Sequence, residues 1–246
     1  MLELKNVSYE VNDEAVNKEI LKNISFTIDE RFVAITGPNG GGKSTLAKLI
    51  AGIITPTEGR IFLDGKDITD MSITERAKNG ISFAFQQPVR FKGITVKDLI
   101  TFAVGHQIST QEACSYLSEV GLCAKDYINR ELNASLSGGE AKRIEIAMTM
   151  ARGTALSIFD EPEAGIDLWS FQSLIKVFEM MHKKAGGSII IISHQERILN
   201  IADKVIVLAN GELVNIGKKE DVLPGLLVDA PGCSVLTEKM KEACNG

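Results

Sequence analysis

Over residues 2–36 the apolar positions mark out strands. Leu2, Leu4 and Val7 predict one, and Ile24-Ser25-Phe26-Thr27-Ile28 another, with polar residues 12–18 as the loop of a hairpin. Phe32-Val33-Ala34-Ile35 is a continuous apolar run of buried-strand length. After it come a glycine-rich turn and the helical spacing of Leu46, Leu49 and Ile50. Residues 57–66 read as a turn, a short strand and an Asp64-Gly65 turn, and residues 81–85 as a buried strand ending at Gln86-Gln87-Pro88. The pattern then becomes helical, at 96–104, at 110–120, and at 138–151 after a break at 133–137. Strand runs at 156–159 and 188–192 flank an amphipathic helix at 168–184. Residues 205–208, the turn Asn210-Gly211 and residues 212–216 predict a hairpin, and the chain from Lys218 is helical in patches and polar near its end.

Strands alternating with helices imply an α/β fold with a mostly parallel core sheet and ligands at the carboxyl ends of its strands. The expected organisation is one domain over 1–246. Residues 1–87 and 152–246 form its sheet core, with an N-terminal antiparallel β layer, and residues 88–151 form an inserted α-helical subdomain. Charge and composition narrow the partners. A net charge of −5 argues against a nucleic-acid binder. No apolar stretch approaches the roughly 20 residues that span a bilayer, and the N-terminus lacks the apolar region of a signal peptide. Cys114, Cys123, Cys233 and Cys244 form no C-x-x-C pair, so a reduced, cytoplasmic protein is expected.

The chemistry concentrates at Gly37-Pro38-Asn39-Gly40-Gly41-Gly42-Lys43-Ser44-Thr45, which fits G-x-x-x-x-G-K-[ST] between a strand and a helix. Glycines let successive N–H groups curl around a polyphosphate, and the helix start adds unpaired N–H groups and the positive end of its dipole. Lys43 brings a charge to the β- and γ-phosphates, and Ser44 a hydroxyl to Mg²⁺. Asp160-Glu161 follows the strand at 156–159. There Asp160 can hold Mg²⁺ through water, and Glu161 can polarise the water that attacks the γ-phosphate. Leu136-Ser137-Gly138-Gly139-Glu140 opens the helix at 138–151. Alone it is an ordinary capped helix start; beside a phosphate loop it becomes a second γ-phosphate contact.

With these residues the sequence resembles the ATP-binding-cassette (ABC) ATPases, whose signature is LSGGQ; here Glu140 stands in the place of the glutamine. The resemblance covers nearly the whole chain and implies a P-loop NTPase fold with ATP and Mg²⁺ as ligands. Gln86 matches the glutamine that senses Mg²⁺ and couples to partner proteins, and Tyr9 the aromatic that stacks on adenine. Gly165-Ile166-Asp167 matches the loop that communicates across a dimer, and His194 the histidine that contacts the γ-phosphate. The resemblance implies Lys43, Glu161 and His194 as catalytic groups and Ser44, Gln86 and Asp160 around the metal. It also implies a head-to-tail homodimer, or a pairing with a related ATPase, in which Ser137, Gly138 and Gly139 close on the other chain's ATP. Residues 86–93 would be the hinge and docking surface. Taken singly these matches have plain structural alternatives: Tyr9 as a surface aromatic, Gln86 as a strand end.

Within that family, residues 137–145, Phe85-Gln86-Gln87-Pro88-Val89 and His194-Gln195-Glu196-Arg197-Ile198-Leu199 are similar to the SufC-type ATPases of iron–sulfur cluster assembly. That similarity implies a soluble iron–sulfur scaffold of the SufB/SufD kind as partner. The alternative partner is a membrane permease. A non-hydrolysing nucleotide-gated module is a third reading, disfavoured because Lys43, Asp160, Glu161 and His194 are all present. Cys233 and Cys244 show no ligand set and read as free thiols of the tail, and Trp169 reads as a core or dimer-edge aromatic.

Overall fold

In the computed structural model of the chain, β1 (Leu2–Asp13) and β2 (Val16–Ile28) form a long antiparallel ribbon, Leu2 opposite Ile28 and Tyr9 opposite Leu21. The structure describes residues 1–13, 16–87, 89, 91–133, 136–184 and 186–227. Expected residues Pro88, Cys233 and Cys244, part of the break at 133–137, and the tail beyond 227 lie outside them. The polar stretch expected as a loop at 12–18 instead continues the ladder, with Val11 opposite Lys18 and Asp13 opposite Val16. Backbone pairing persists there without an apolar face, so the alternation that betrays a strand is missing.

The chain divides into two units, one of Met1–Asn79 with the described residues from Ile190 on, the other of Gly80–Ile189. In the first unit β3 (Phe32–Thr36) is buried at all five positions and leads through the glycine turn into α1 (Lys43–Ala51). β4 (Glu58–Leu63) and β5 (Lys66–Asp67) complete a four-stranded sheet in the order β2-β1-β4-β5, the expected antiparallel layer. The short α2 (Ile73–Lys78), missed by the periodicity, is held by a capping box between Ser72 and Glu75. Its Arg76 is buried, and the guanidinium donates to the carbonyls of Leu49, Ile50, Thr69 and Met71. Two of those carbonyls end α1, so a cation sits at the negative end of the phosphate-loop helix.

In the second unit β6 (Ile81–Ala84) runs parallel to β7 (Leu156–Asp160), Ile81 opposite Leu156. Between them come α3 (Val96–Val104), α4 (Thr110–Glu119), α5 (Ala124–Tyr127) and α6 (Gly138–Arg152). The helix α7 (Leu168–Lys184) follows β7. α3, α4 and α7 pack on α6, whose Ile144, Ile146 and Ala147 are buried. Because α6 also touches β6, this unit gathers strands and α7 along with the helical stretch expected at 88–151. β8 (Ser188–Ile192) begins here and ends in the first unit, where Ser193 N–H donates to the Ile35 carbonyl at 3.1 Å.

The first unit closes with α8 (Glu196–Leu199), β9 (Lys204–Ala209), β10 (Glu212–Lys218) and α9 (Lys219–Leu227). β9 lies parallel to β3 and antiparallel to β10. The expected parallel core is therefore present, with β10 as an antiparallel addition.

Candidate nucleotide-binding site

The turn between β3 and α1 is shaped by neighbours far along the chain. Gly37 has φ 134, and a Cβ there would stand 1.8 Å from the Leu208 carbonyl oxygen of β9, so no other residue fits. Gly42, at φ 94, is the N-cap of α1. The helix start has no side-chain cap and no acid in its first turn, a combination that suits an anion at its N-terminus. Lys43 is buried, and its Nζ donates to the carbonyls of Gly37 and Pro38 at 2.8 Å each. Those are bonds that phosphate oxygens can replace with stronger, charge-assisted ones. Pro38, Asn39 and Gly40 are exposed, and Ser44 and Thr45 half-buried. The donor set suits a polyphosphate: the N–H groups of a helix start, the Lys43 cation and the Ser44 hydroxyl. Tyr9 is half-buried and lies cross-strand from Leu21, whose side chain abuts the position of Gly42. His194, in the same unit, is exposed just past β8.

In the second unit Asp160 ends β7 and is buried. Glu161 follows at φ 43, a left-handed conformation that costs on the order of 1–3 kcal/mol outside glycine. The turn is closed by Ala164 N–H donating to the Glu161 carbonyl at 3.0 Å. Gln86, exposed after β6, donates through Nε2 to Glu161 Oε2 at 2.7 Å. Two residues chosen separately from the sequence thus meet directly. Asp167 is exposed, and its Oδ1 accepts the N–H groups of Trp169 and Ser170 at 3.0 Å, making it the cap of α7. The Ser170 N–H is the main cause holding its carboxyl below the usual range.

Ser137 caps α6: its Oγ accepts Glu140 N–H at 3.3 Å, while Glu140 Oε2 accepts Ser137 N–H at 2.7 Å. Ser137 and Gly138 are exposed and Gly139 is buried. Two features of α6 escape a residue-by-residue reading. Tyr127 donates its hydroxyl to Glu140 Oε1 at 2.5 Å. Lys142, with 2% of its side chain exposed, donates to the Phe85 carbonyl and to Glu145 Oε2, while Glu145 Oε1 accepts Phe85 N–H. Burial pushes the Glu145 carboxyl up, against the pull of Lys142. Both backbone groups of the residue before Gln86 are therefore gripped by one ion pair.

The family described as ABC transporter matches residues 21–164. An uncharacterized ABC transporter ATP-binding protein of Methanocaldococcus jannaschii is 40% identical over 215 residues, covering 84% of this chain and 86% of its own length. The energy-coupling factor transporter ATP-binding protein EcfA1 of Oceanobacillus iheyensis is 32% identical over 252 residues, covering 98% and 89%. Among solved structures, the dimeric post-hydrolysis state of the ATP-binding cassette MJ0796 bound to ADP and Pi superposes with a TM-score of 0.79. It shares 25% identity and covers 89% of this chain and 99% of its own. Both relatives carry transporter names, and neither carries the name of an iron–sulfur assembly ATPase, the kind that residues 137–145 suggested.

Proposed function

Since the chain belongs to the ABC transporter family of ATPases, we propose that it is the ATP-binding subunit of a membrane transporter, working in a head-to-tail pair of ATPase chains. One observation carries the choice of partner. The second unit has a groove of about 320 Å³ lined by Phe85, Val89, Phe91, Leu99, Phe102 and Met148. Phe102 is 70% exposed and Val89 46%, an apolar patch of the kind that marks a protein contact. Phe85 immediately precedes Gln86, and Gln86 holds Glu161, so a partner helix seated in the groove bears on the catalytic carboxylate through a single peptide.

Each role then falls to a named group. Tyr9 stacks on adenine. The N–H groups between Gly40 and Ser44, with Lys43, bind the phosphates, Lys43 giving up the carbonyls of Gly37 and Pro38. Ser44, Gln86 and Asp160 would hold Mg²⁺, which would neutralise charge on the β- and γ-phosphates. Glu161 accepts the proton of the attacking water, and His194 hydrogen-bonds the γ-phosphate. Ser137, Gly138 and Gly139 of the second chain close the remaining face.

A second reading keeps this ATPase and changes its load to an iron–sulfur scaffold of the SufB/SufD kind. What favours it is that Glu140, Lys142 and Glu145, the residues shared with SufC-type signatures, all hold specific bonds rather than lying loose on the helix. Native co-purification of the tagged chain from a detergent lysate separates the two. An integral membrane partner is expected; a partner carrying iron and sulfide would transfer the protein to cluster assembly and leave the ATPase untouched.

A further inference from the structure

Tyr127 takes no part in the site as described. It ends α5, and its hydroxyl reaches Glu140 Oε1 while Ser137 N–H reaches Oε2 of the same carboxylate. A carboxylate only accepts, and so it serves both donors at once with charge-assisted bonds; a glutamine at this position would offer one acceptor oxygen, and its amide could meet the Tyr127 oxygen only as a neutral donor with the bond reversed. The departure from the usual glutamine and the presence of Tyr127 are therefore matched. The Arg130 guanidinium covers the Tyr127 ring at 5.3 Å from its centroid. Beyond it, residues 128–132 run beside residues 91–97. Lys97 N–H donates to the Ile128 carbonyl at 3.0 Å, and Val96 and Phe91 N–H to those of Arg130 and Leu132 at 2.9 Å. Phe91 lines the apolar groove.

We propose that Tyr127 is a positioning residue for Ser137: its bond to Glu140 fixes the carboxylate that orients the start of α6, and ties that start to the backbone beside the apolar groove. The inference rests on reading Ser137 as a nucleotide contact. Without the hydroxyl, Glu140 keeps the capping box through Oε2 alone, its carboxylate is free to turn, and the position of Ser137 spreads. The loss falls on closure over a nucleotide already bound. First binding belongs to the Lys43 loop, which Tyr127 does not touch. A split between affinity and turnover is the signature.

The test compares the full-length wild type with Tyr127→Phe, Glu140→Gln and the double variant. In Tyr127→Phe, hydrogen exchange over residues 136–140 is expected to quicken about fivefold or more. Its kcat should fall about tenfold while the Kd for ADP stays within about twofold. In the Glu140→Gln background, Tyr127→Phe should change kcat by less than about twofold, because the charge-assisted bond from the hydroxyl to the carboxylate is already gone. Unaltered exchange overturns the proposal. So does an ADP affinity that falls in step with kcat, or an equal loss of kcat whether residue 140 is Glu or Gln. Turnover that survives Ser137→Ala would instead refute the nucleotide role of Ser137, and the exchange result still decides the tie.

Discussion

Two helices of this chain start at glycine-rich turns, and their first N–H groups are handled in opposite ways. α1 starts from Gly42 with no side-chain cap and no acid in its first turn, and Lys43 beside it bonds the carbonyls of Gly37 and Pro38. α6 starts from Ser137 inside a complete capping box, with the Glu140 carboxylate spent on Ser137 and Tyr127. The first is an open anion site with its own cation. The second has satisfied part of itself and placed an acid in the first turn, which opposes an anion arriving alone. Under the proposed function, α1 binds nucleotide unaided and α6 engages only a phosphate delivered by another chain.

The sharpest way to break the contrast is to add one methyl group at each start. Gly37→Ala forces a Cβ against the Leu208 carbonyl in a backbone conformation that alanine avoids. It should cost about 3 kcal/mol or more and abolish nucleotide binding, read by thermal unfolding and calorimetry. Gly138→Ala meets only the Gly165 carbonyl at 3.2 Å and should cost under about 1 kcal/mol. Equal costs would show that the α1 turn is not the more tightly determined of the two.

Charge removal comes next. Lys43→Ala should weaken both ATP and ADP about 100-fold, the loss of a charge-assisted bond of nearly 3 kcal/mol. Ser137→Ala should leave ADP affinity within about twofold. If calorimetry finds ADP weakened equally by both, α6 is a first-binding site and the contrast fails.

How far the sequence foretold this contrast differs between the two starts. The spacing of Gly37, Gly42, Lys43 and Ser44 declared the α1 loop, and Ser137 read as the cap of α6, while its reciprocal bond with Glu140 emerged from the structure. What Gly37 avoids was not legible, because Leu208 comes to it only through the pairing of β3 with β9. Tyr127 was invisible for the same reason: no local pattern announces a hydroxyl reaching across from α5 to α6. Lys142 and Glu145 look like an ordinary solvated pair at helical spacing, yet Lys142 is buried, Glu145 is half-buried, and both bond the backbone of Phe85. The helices α2, α5 and α8 are too short to build a period; α2 has a capping box that could have flagged it, whereas α5 and α8 start without a side-chain cap.

Ser137→Ala carries a third expectation, on stability. Removing the cap leaves Glu140 N–H without its acceptor and should cost about 1 kcal/mol in denaturant unfolding. No matching loss exists to be made at α1, where position 42 contributes no side chain. A cost near zero would mean that the box at α6 is decorative and the two starts are energetically alike.

The smallest effect is a pH dependence confined to α6. The Tyr127 hydroxyl chiefly, and then the Ser137 N–H and hydroxyl, hold the Glu140 carboxyl below its ordinary value, with burial opposing them. A carboxyl whose pKa is lower folded than unfolded stabilises the fold fully above its unfolded value, about 4.3 for Glu. That contribution fades as pH falls through the lowered folded value, where the unfolded chain already holds the proton and the folded chain must take it up. The stability of the wild type over Glu140→Gln should therefore be level above about pH 5 and shrink steadily toward pH 3. Solvent beside this half-buried group screens it and keeps the change small. The first turn of α1 carries no acid, so no such capping carboxylate titrates there. A gap between wild type and Glu140→Gln that stays constant down to pH 3 would mean that the carboxylate does no electrostatic work at α6, and that the capping geometry alone sets the second start apart from the first.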